Sequence, residues 1–213
     1  AKLAMGRMKP ASGRVLIQGR DVASLDSRER ARRLGVLVQQ QEAPMMTVRE
    51  LAACGRFPHH GPLSRLAEAD ARCIDETLSL AGVYDLRNRP LRSLSGGQRQ
   101  RARMAMVLAQ DTPVVLFDEP TSFMDAAACF DMMRLVRQVR ERGKTVIAVI
   151  HDLNLALSVA DAVFVMERGR LAAQGAPSEA AVHSAIEHSF GVRLERAETP
   201  SGVAWVPFER ADA

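Results

Sequence analysis

The sequence predicts an α/β protein with a largely parallel sheet, into which a block of helices is inserted. Two short apolar runs, at residues 34–38 and 114–117, have the pattern of strands that are buried on both faces. From about residue 47 to residue 110 the pattern changes to that of helices. Strands then alternate with helices, which is the order expected of a parallel sheet with helical crossovers.

Two strands are predicted before the helical block. The first covers residues 14–18 and is bounded by Gly13 and Gly19. The second is the apolar run at residues 34–38. We therefore expect residues 1–46 to contribute to the sheet-containing core.

Three helices are predicted inside the block, at residues 47–54, 67–81 and 96–109. Thr47 and Glu50 form the capping-box pattern that begins a helix. Residues 56–64 are expected to form a loop because they contain two prolines and a glycine.

After the block, strands return. The strand at residues 114–117 leads into Asp118, and apolar residues at helical spacing then predict an amphipathic helix that ends near Gly143. The remaining predicted elements are a buried strand at 145–150, strands at 162–166 and 170–173 joined by a hairpin turn at 167–169, a helix at 177–189 and a weakly patterned tail. The predicted domains are a core of residues 1–46 and 111–175, a helical subdomain of residues 47–110, and a C-terminal helix and tail of residues 176–213.

The composition excludes several classes of protein. Of the 213 residues, 47% are hydrophobic and 25% are charged, which suits a folded globular domain and not a disordered or fibrous chain. The net charge of +4 is too small to indicate a nucleic-acid partner, and none is expected. The three cysteines are widely spaced, so neither a zinc site nor a disulfide framework is expected.

Residues 94–98, Leu-Ser-Gly-Gly-Gln, form the first segment that carries chemistry. They open a predicted helix, where unpaired backbone N–H groups favour an anion. Gly96 and Gly97 let a ligand approach the backbone, and the Ser95 hydroxyl adds a donor. Taken alone, the segment would be no more than a turn and a helix cap.

Polar residues also follow two predicted strands of the core. Asp118 and Glu119 come directly after the strand at 114–117, at the edge where parallel sheets bind ligands. A carboxylate such as Asp118 suits Mg²⁺, and Glu119 is placed to deprotonate an attacking water. His151 follows the strand at 145–150 and can hydrogen-bond a phosphate. Taken singly, each of these features has an ordinary structural explanation: an acidic turn for Asp118 and Glu119, and a structural histidine for His151.

In this order and at these spacings, residues 94–98, 115–121, 122–125 and 149–152 resemble the ATP-binding-cassette (ABC) ATPases. The resemblance covers nearly the whole chain. It implies an ABC-type P-loop NTPase fold, with a RecA-like core and an inserted helical subdomain, and ATP and Mg²⁺ as cofactors.

The resemblance also implies a role for each matching residue near the phosphates. Ser95, Gly96, Gly97 and Gln98 correspond to the signature loop, which contacts the γ-phosphate of ATP held by a second subunit. Asp118 corresponds to the Walker B aspartate that holds Mg²⁺, and Glu119 to the catalytic base.

Three further residues correspond to motifs of the same family. His151 matches the switch histidine, and Asp125 matches the D-loop aspartate at the dimer interface. Gln39 matches the Q-loop glutamine, which senses Mg²⁺ and couples the site to the membrane partner. Gln40 and Gln41 are alternatives for that position, and the register of residues 32–37 favours Gln39.

Residues 47–51, 55–59, 105–110 and 151–154 look like those of importers of iron complexes, haem and cobalamin, with the ferric-siderophore and ferric-citrate type closest. This resemblance implies an ATPase subunit bound to transmembrane permease subunits and to a second ATP-binding subunit, and served indirectly by a substrate-binding protein. It also implies a peripheral position on the cytoplasmic face of the bacterial inner membrane.

The sequence departs from the family at its start. No P-loop pattern G-x-x-x-x-G-K-[ST] occurs, and residues 9–13 correspond to the family's segment downstream of it. With the initial Ala1, this predicts an N-terminally truncated chain that does not bind ATP tightly alone, an expectation that submillimolar ATP binding would contradict.

Two alternatives stay open. One is a non-catalytic cassette that contributes only its signature loop, against which Glu119 and His151 argue. The other is a soluble ABC ATPase of DNA repair or translation. Such proteins carry long inserts, whereas 55 residues separate Gln39 from Ser95 here.

Overall fold

The chain consists of two units, Ala1–Val149 and Ile150–Ala213. The structure, a computed structural model, describes residues 2–38, 43–60, 66–122, 124–199 and 202–209. The domain boundaries predicted from the sequence stay predictions.

The first unit begins with short elements. Strand β1 (Leu16–Ile17) pairs antiparallel with β2 (Arg20–Asp21), so the predicted first strand is present but shorter than expected. Helix α1 (Ser27–Ala31) follows, and Asp26 caps it by accepting hydrogen bonds from the first backbone N–H groups of the helix.

A parallel sheet forms the centre of the first unit. Its strands are β3 (Leu34–Leu37), β4 (Val114–Asp118) and β5 (Thr145–Val149), in that order. A hydrophobic cluster joins β3 and β4 to the segment around β1; it comprises Ile17, Val22, Leu34 and Leu116. The predicted parallel core is confirmed in this part of the chain.

The prediction that β5 is a buried strand is wrong. Burial alternates along it, and the side chains of Ile147 and Val149 are 49% and 41% exposed. Among the described residues β5 pairs only with β4, so it lies at the end of its sheet. An apolar run does not show whether both faces of a strand are covered, because covering depends on distant segments.

The helical block contains three α-helices, α2 (Val48–Cys54), α3 (Glu68–Leu80) and α4 (Gly96–Ala109). The predicted capping box at the start of α2 is present, since Thr47 and Glu50 exchange hydrogen bonds between side chain and backbone. Residues 57–59 form a short 3-10 helix inside the predicted loop, and residues 61–64 of that loop lie outside the described residues.

Helix α5 (Ala126–Glu141) confirms the amphipathic helix predicted before Gly143. One side of it is buried in the first unit, through Met132, Met133, Leu135, Val136 and Val139. At 16 residues it is the longest helix described. Among the described residues, no helix is both long and apolar enough to cross a lipid bilayer.

The second unit contains α6 (Leu153–Val159), the hairpin of β6 (Val163–Glu167) and β7 (Arg170–Gly175), and α7 (Ala180–Phe190). The hairpin turn is confirmed. Arg168 and Gly169 have φ of 47° and 78°, the positive values that a two-residue type I′ turn requires.

Two long strands follow α7 where the sequence shows only weak patterning. Strands β8 (Val192–Thr199) and β9 (Gly202–Glu209) pair antiparallel along their whole length. Leu194 of β8 joins the core of the second unit, which also contains Leu157, Val165, Val182 and Ile186. Trp205 of β9 packs against this core.

Candidate functional site

Ser95 begins the signature helix α4 as predicted. Its Oγ accepts a hydrogen bond of 3.2 Å from the backbone N–H of Gln98, and its own N–H donates to Oε1 of Gln98 at 3.1 Å. This reciprocal capping box fixes the loop and uses the Gln98 side chain for the purpose. The predicted motif residues Ser95 and Gln98 therefore form one rigid helix start.

Gly96 and Gly97 leave the start of α4 open. Among the described residues, a Cβ atom added to Gly96 would meet nothing within 4 Å, and one added to Gly97 would have the Cβ of Ala128 as its nearest neighbour, at 3.9 Å. Packing against the described part of the chain therefore does not require a glycine at either position. The first backbone N–H groups of a helix have no partner within that helix, so this surface suits an anion supplied from outside the chain.

Asp118 is the last residue of β4, and Glu119 turns the chain away from the sheet. Glu119 has a φ of +53°, in the left-handed region that non-glycine residues rarely adopt. Its N–H donates to the carbonyl oxygen of Val149 at 3.1 Å, and the Ser122 hydroxyl donates to Oε2 of Glu119 at 2.9 Å. Strained backbone of this kind concentrates at functional sites.

Two side chains of α4 tie the signature helix to the segment after β4. The Gln100 amide donates to the carbonyl oxygen of Pro120 at 3.3 Å, and the Arg101 guanidinium pairs with Asp131 of α5 at 2.6 Å. The structure therefore brings the start of α4 and the carboxylate turn after β4 of one chain into a single framework. Sequence reasoning missed Gln100 and Ser122, because a link between distant segments leaves no local pattern.

Asp125 caps helix α5. Its Oδ1 accepts a hydrogen bond of 2.8 Å from the backbone N–H of Ala128, and the residue is exposed. Because Ala128 is also the residue nearest to Gly97, the starts of α4 and α5 lie side by side.

His151 and Gln39 are the remaining predicted site residues. His151 is exposed and belongs to the second unit, and the next residue, Asp152, caps α6 by accepting from the N–H of Leu155 at 3.0 Å. Gln39 lies outside the described residues, as do Gln40 and Gln41.

The residues present fit a magnesium ion that is shared with a phosphate. Mg²⁺ usually takes one or two carboxylates and completes its shell with water and phosphate oxygens. The half-buried carboxylate of Asp118, at the end of a parallel strand, is a donor of this kind. Among the described residues no group of three or more His, Cys, Asp or Glu side chains forms a cage for a metal.

Comparison with known proteins identifies the family to which the chain belongs. A profile described as ABC transporter matches residues 1–122. The chain is 39% identical over 195 residues to the ferric enterobactin transport ATP-binding protein FepC of Escherichia coli (strain K12). This match covers 91% of this chain and 72% of FepC. It is 36% identical over 209 residues to the hemin import ATP-binding protein HmuV of Rhizobium meliloti (strain 1021). This match covers 94% of this chain and 78% of HmuV.

Solved structures give the same answer for the fold. A dimeric ATP-binding cassette in a post-hydrolysis state, bound to ADP and Pi, is 27% identical with a TM-score of 0.72, over 84% of this chain and 79% of that one. The structure of cbiO1 from Clostridium perfringens is 26% identical with a TM-score of 0.72, and the match covers 89% of this chain and 78% of that one. The chain thus belongs to the ABC transporter family and has the fold of its nucleotide-binding ATPase cassettes.

Proposed function

We propose that this chain is the ATP-binding subunit of an importer, and that it couples ATP binding and hydrolysis to the uptake of an iron complex such as a ferric siderophore, ferric citrate or haem. One observation carries the proposal. Relatives that match across about nine-tenths of the chain are ATP-binding proteins named for ferric enterobactin and for hemin.

The start of α4 is the proposed contact for the γ-phosphate of ATP held by a second ATP-binding subunit. Ser95, Gly96 and Gly97 supply a hydroxyl and backbone N–H groups at the positive end of the helix dipole. Gln98 holds the loop in shape through the capping box. The open surface at Gly96 supports this role, because a Cβ atom added there would meet no atom of the described residues within 4 Å.

The carboxylate turn after β4 is the proposed hydrolytic centre. Asp118 would hold Mg²⁺, whose charge stabilises that of the phosphates. Glu119 acts as the general base that orients and deprotonates water, and its position is set by its backbone bond to Val149 and its side-chain bond to Ser122. His151 is proposed to hydrogen-bond the γ-phosphate.

The remaining assignments concern assembly. Gln39 is proposed to sense Mg²⁺ and to link the site to transmembrane permease subunits, and Asp125 to lie at the interface with the second ATP-binding subunit. A substrate-binding protein would deliver the iron complex to the permease. The chain would then act on the cytoplasmic face of the bacterial inner membrane as a peripheral subunit.

The proposal is tested by changing the chromosomal gene in the cells that encode the chain. Glu119→Gln keeps the size of the side chain and removes the base, so we expect uptake of radioactive ferric siderophore to fall by about 100-fold or more. ATP hydrolysis by the transporter purified with its permease should fall by about the same factor.

Glu68→Gln is the matched control, because Glu68 is 88% exposed and pairs only with its helical neighbour Arg72 among the described contacts. It should leave uptake unchanged. If Glu119→Gln retained full uptake, the chain would be a non-catalytic cassette. If no permease accompanied the purified protein, the importer role itself would be lost.

A further inference from the structure

Arg56 lies at the centre of a polar cluster that the proposed chemistry does not use. It follows α2, and its Nε donates to Oδ1 of Asp70, in the first turn of α3, at 2.8 Å. The side chains of Arg56 and Asp70 are only 13% and 4% exposed. Oδ2 of Asp70 accepts from the N–H of Ala67 at 2.8 Å and lies 2.8 Å from Nε2 of His60.

The same guanidinium also holds the far end of the signature helix. Nη1 of Arg56 donates to the carbonyl oxygen of Ala109, the last residue of α4, at 2.8 Å. The last carbonyl groups of a helix have no partner within it, and a cation there is favourable. One planar side chain therefore joins the end of α2, the start of α3 and the end of α4.

Neighbouring residues extend this connection to the sheet. Nε2 of His59 is 2.8 Å from the carbonyl oxygen of Gln110, and the Gln110 amide donates to the carbonyl oxygen of Leu34, at the start of β3, at 3.1 Å. Arg28 and Arg32 donate to the carbonyl oxygen of Pro58 at 2.9 Å and 2.7 Å.

The backbone beside Arg56 packs closely against α4. A side chain on Gly55 would collide with the carbonyl oxygen of Met106, so α2 and α4 are in direct backbone contact there. The end of α2 therefore lies directly against the helix that Arg56 caps.

We propose that Arg56 is a positioning residue for the ATPase reaction, one that sets the orientation of α4 from its C-terminal end and thereby places the signature loop at its N-terminal end. This inference rests on the proposed function. Helix α4 has 14 residues, so at 1.5 Å per residue its ends are about 21 Å apart. Over that length a small rotation at Ala109 displaces Ser95 by a distance that matters to catalysis, since a misplacement of about 1 Å can cost ~100-fold in rate.

Arg56→Lys separates positioning from charge. Lysine keeps the positive charge beside Asp70, but its single ammonium lacks the fork that reaches Asp70 and Ala109 together. The control is Arg72→Lys, because Arg72 makes an exposed pair with Glu68 on the same helical block.

Both variants are measured in the transporter assembled with its permease. We expect Arg56→Lys to lower kcat for ATP hydrolysis about tenfold while KM for ATP changes less than about twofold, because the signature loop acts mainly in the transition state. Arg72→Lys should leave both parameters unchanged.

A second readout needs no nucleotide. The amides of Gln98 and Arg99 bond to Ser95 at 3.2 Å and 2.9 Å, and their hydrogen exchange in the nucleotide-free transporter reports on the start of α4. We expect Arg56→Lys to speed this exchange about threefold or more, since loosening of the far end reaches the whole helix. A local structural role would speed exchange only near residues 106–110.

The outcomes are distinguishable. If the unmodified transporter hydrolyses ATP and Arg56→Lys matches Arg72→Lys in kcat and in exchange at residues 98–99, the positioning role is overturned and the proposed function stands. Loss of ATPase activity together with hydrogen exchange that is altered only near residues 106–110 also overturns the positioning role. If the unmodified transporter hydrolyses no ATP, the proposed function has failed first. Should Arg56→Lys not fold, Asp70→Asn loosens the same guanidinium and is judged by the same two readouts.

Discussion

Two glycines of the first unit are present for opposite physical reasons. Gly55 is enclosed, and any side chain there would collide with the backbone of α4. Gly96 is open, and a Cβ atom added there would meet nothing within 4 Å among the residues that the structure describes. The first glycine therefore serves packing, whereas the second leaves space for something outside the chain.

Alanine substitution should separate these roles. Gly55→Ala should lower the free energy of unfolding by about 1–3 kcal/mol, the usual cost of overpacking. Gly96→Ala should leave it unchanged or raise it by up to about 1 kcal/mol, because alanine favours a helix. Urea unfolding followed by far-UV circular dichroism measures both changes.

The effect on iron uptake should not follow the effect on stability. Gly96→Ala, introduced in the chromosome, should abolish iron uptake although the protein is as stable as before, because the new methyl group occupies the proposed phosphate contact. A Gly96→Ala protein with normal uptake, or one as unstable as Gly55→Ala, would contradict this assignment.

At the scale of single elements, local rules predicted most helices and most strands, although helices α1 and α6 were not predicted. The starts of α2 and α4 were predicted to within one residue, α2 from its capping box, a contact between residues three positions apart, and α4 from the Ser-Gly-Gly segment. The hairpin of β8 and β9 was missed and the exposure of β5 was mispredicted. Both depend on which segments pair or pack across the fold, and a single strand does not encode that.

The contact between α2 and α3 gives a pH-dependent prediction. Burial raises the pKa of Asp70, but hydrogen bonds from Arg56, His60 and the Ala67 amide outweigh it and lower the pKa from 3.8 to about 2. A carboxyl group whose pKa is lower in the folded state than in the unfolded state stabilises the fold. This stabilisation is fully present at a pH above the unfolded-state pKa, and it is lost as the pH falls through the folded-state pKa.

Asp70→Asn should therefore lower the free energy of unfolding at pH 7 by about 2–4 kcal/mol, since it leaves the buried Arg56 without its anion. The difference from the unmodified protein should shrink between about pH 4 and pH 2, as the carboxyl group becomes protonated in both states. Urea unfolding across this range measures it. An equal difference at pH 7 and pH 2 would refute the assignment, and Glu68→Gln should change stability by less than about 1 kcal/mol throughout.

At the scale of the whole molecule, the sequence sufficed for the family and for the order of its motifs. Ser95 begins α4 and Asp118 ends β4 as expected. The links that assemble the framework, such as Gln100 to Pro120, were not predictable because they join segments that the chain order separates. The polar cluster around Arg56 was hidden for the same reason, since Asp70 and Ala109 lie 14 and 53 residues away along the chain.

The second unit has its own core, which can be tested alone. Ile186 of α7 is 2% exposed within it, so Ile186→Ala should lower the free energy of unfolding of this unit by about 2–5 kcal/mol. Phe190 on the same helix is 50% exposed, and Phe190→Ala should cost about 1 kcal/mol or less. Equal losses for the two variants, measured by thermal unfolding, would show that the cluster around Ile186 is not the core.

Trp205 is the only tryptophan of the chain, and it lies in β9 with its ring centroid 3.9 Å from that of His183. The indole emission of the chain therefore originates entirely from the second unit. The only tyrosine, Tyr84, belongs to the first unit. Selective excitation of the indole thus follows the melting of one unit while circular dichroism follows both, without any dye or label.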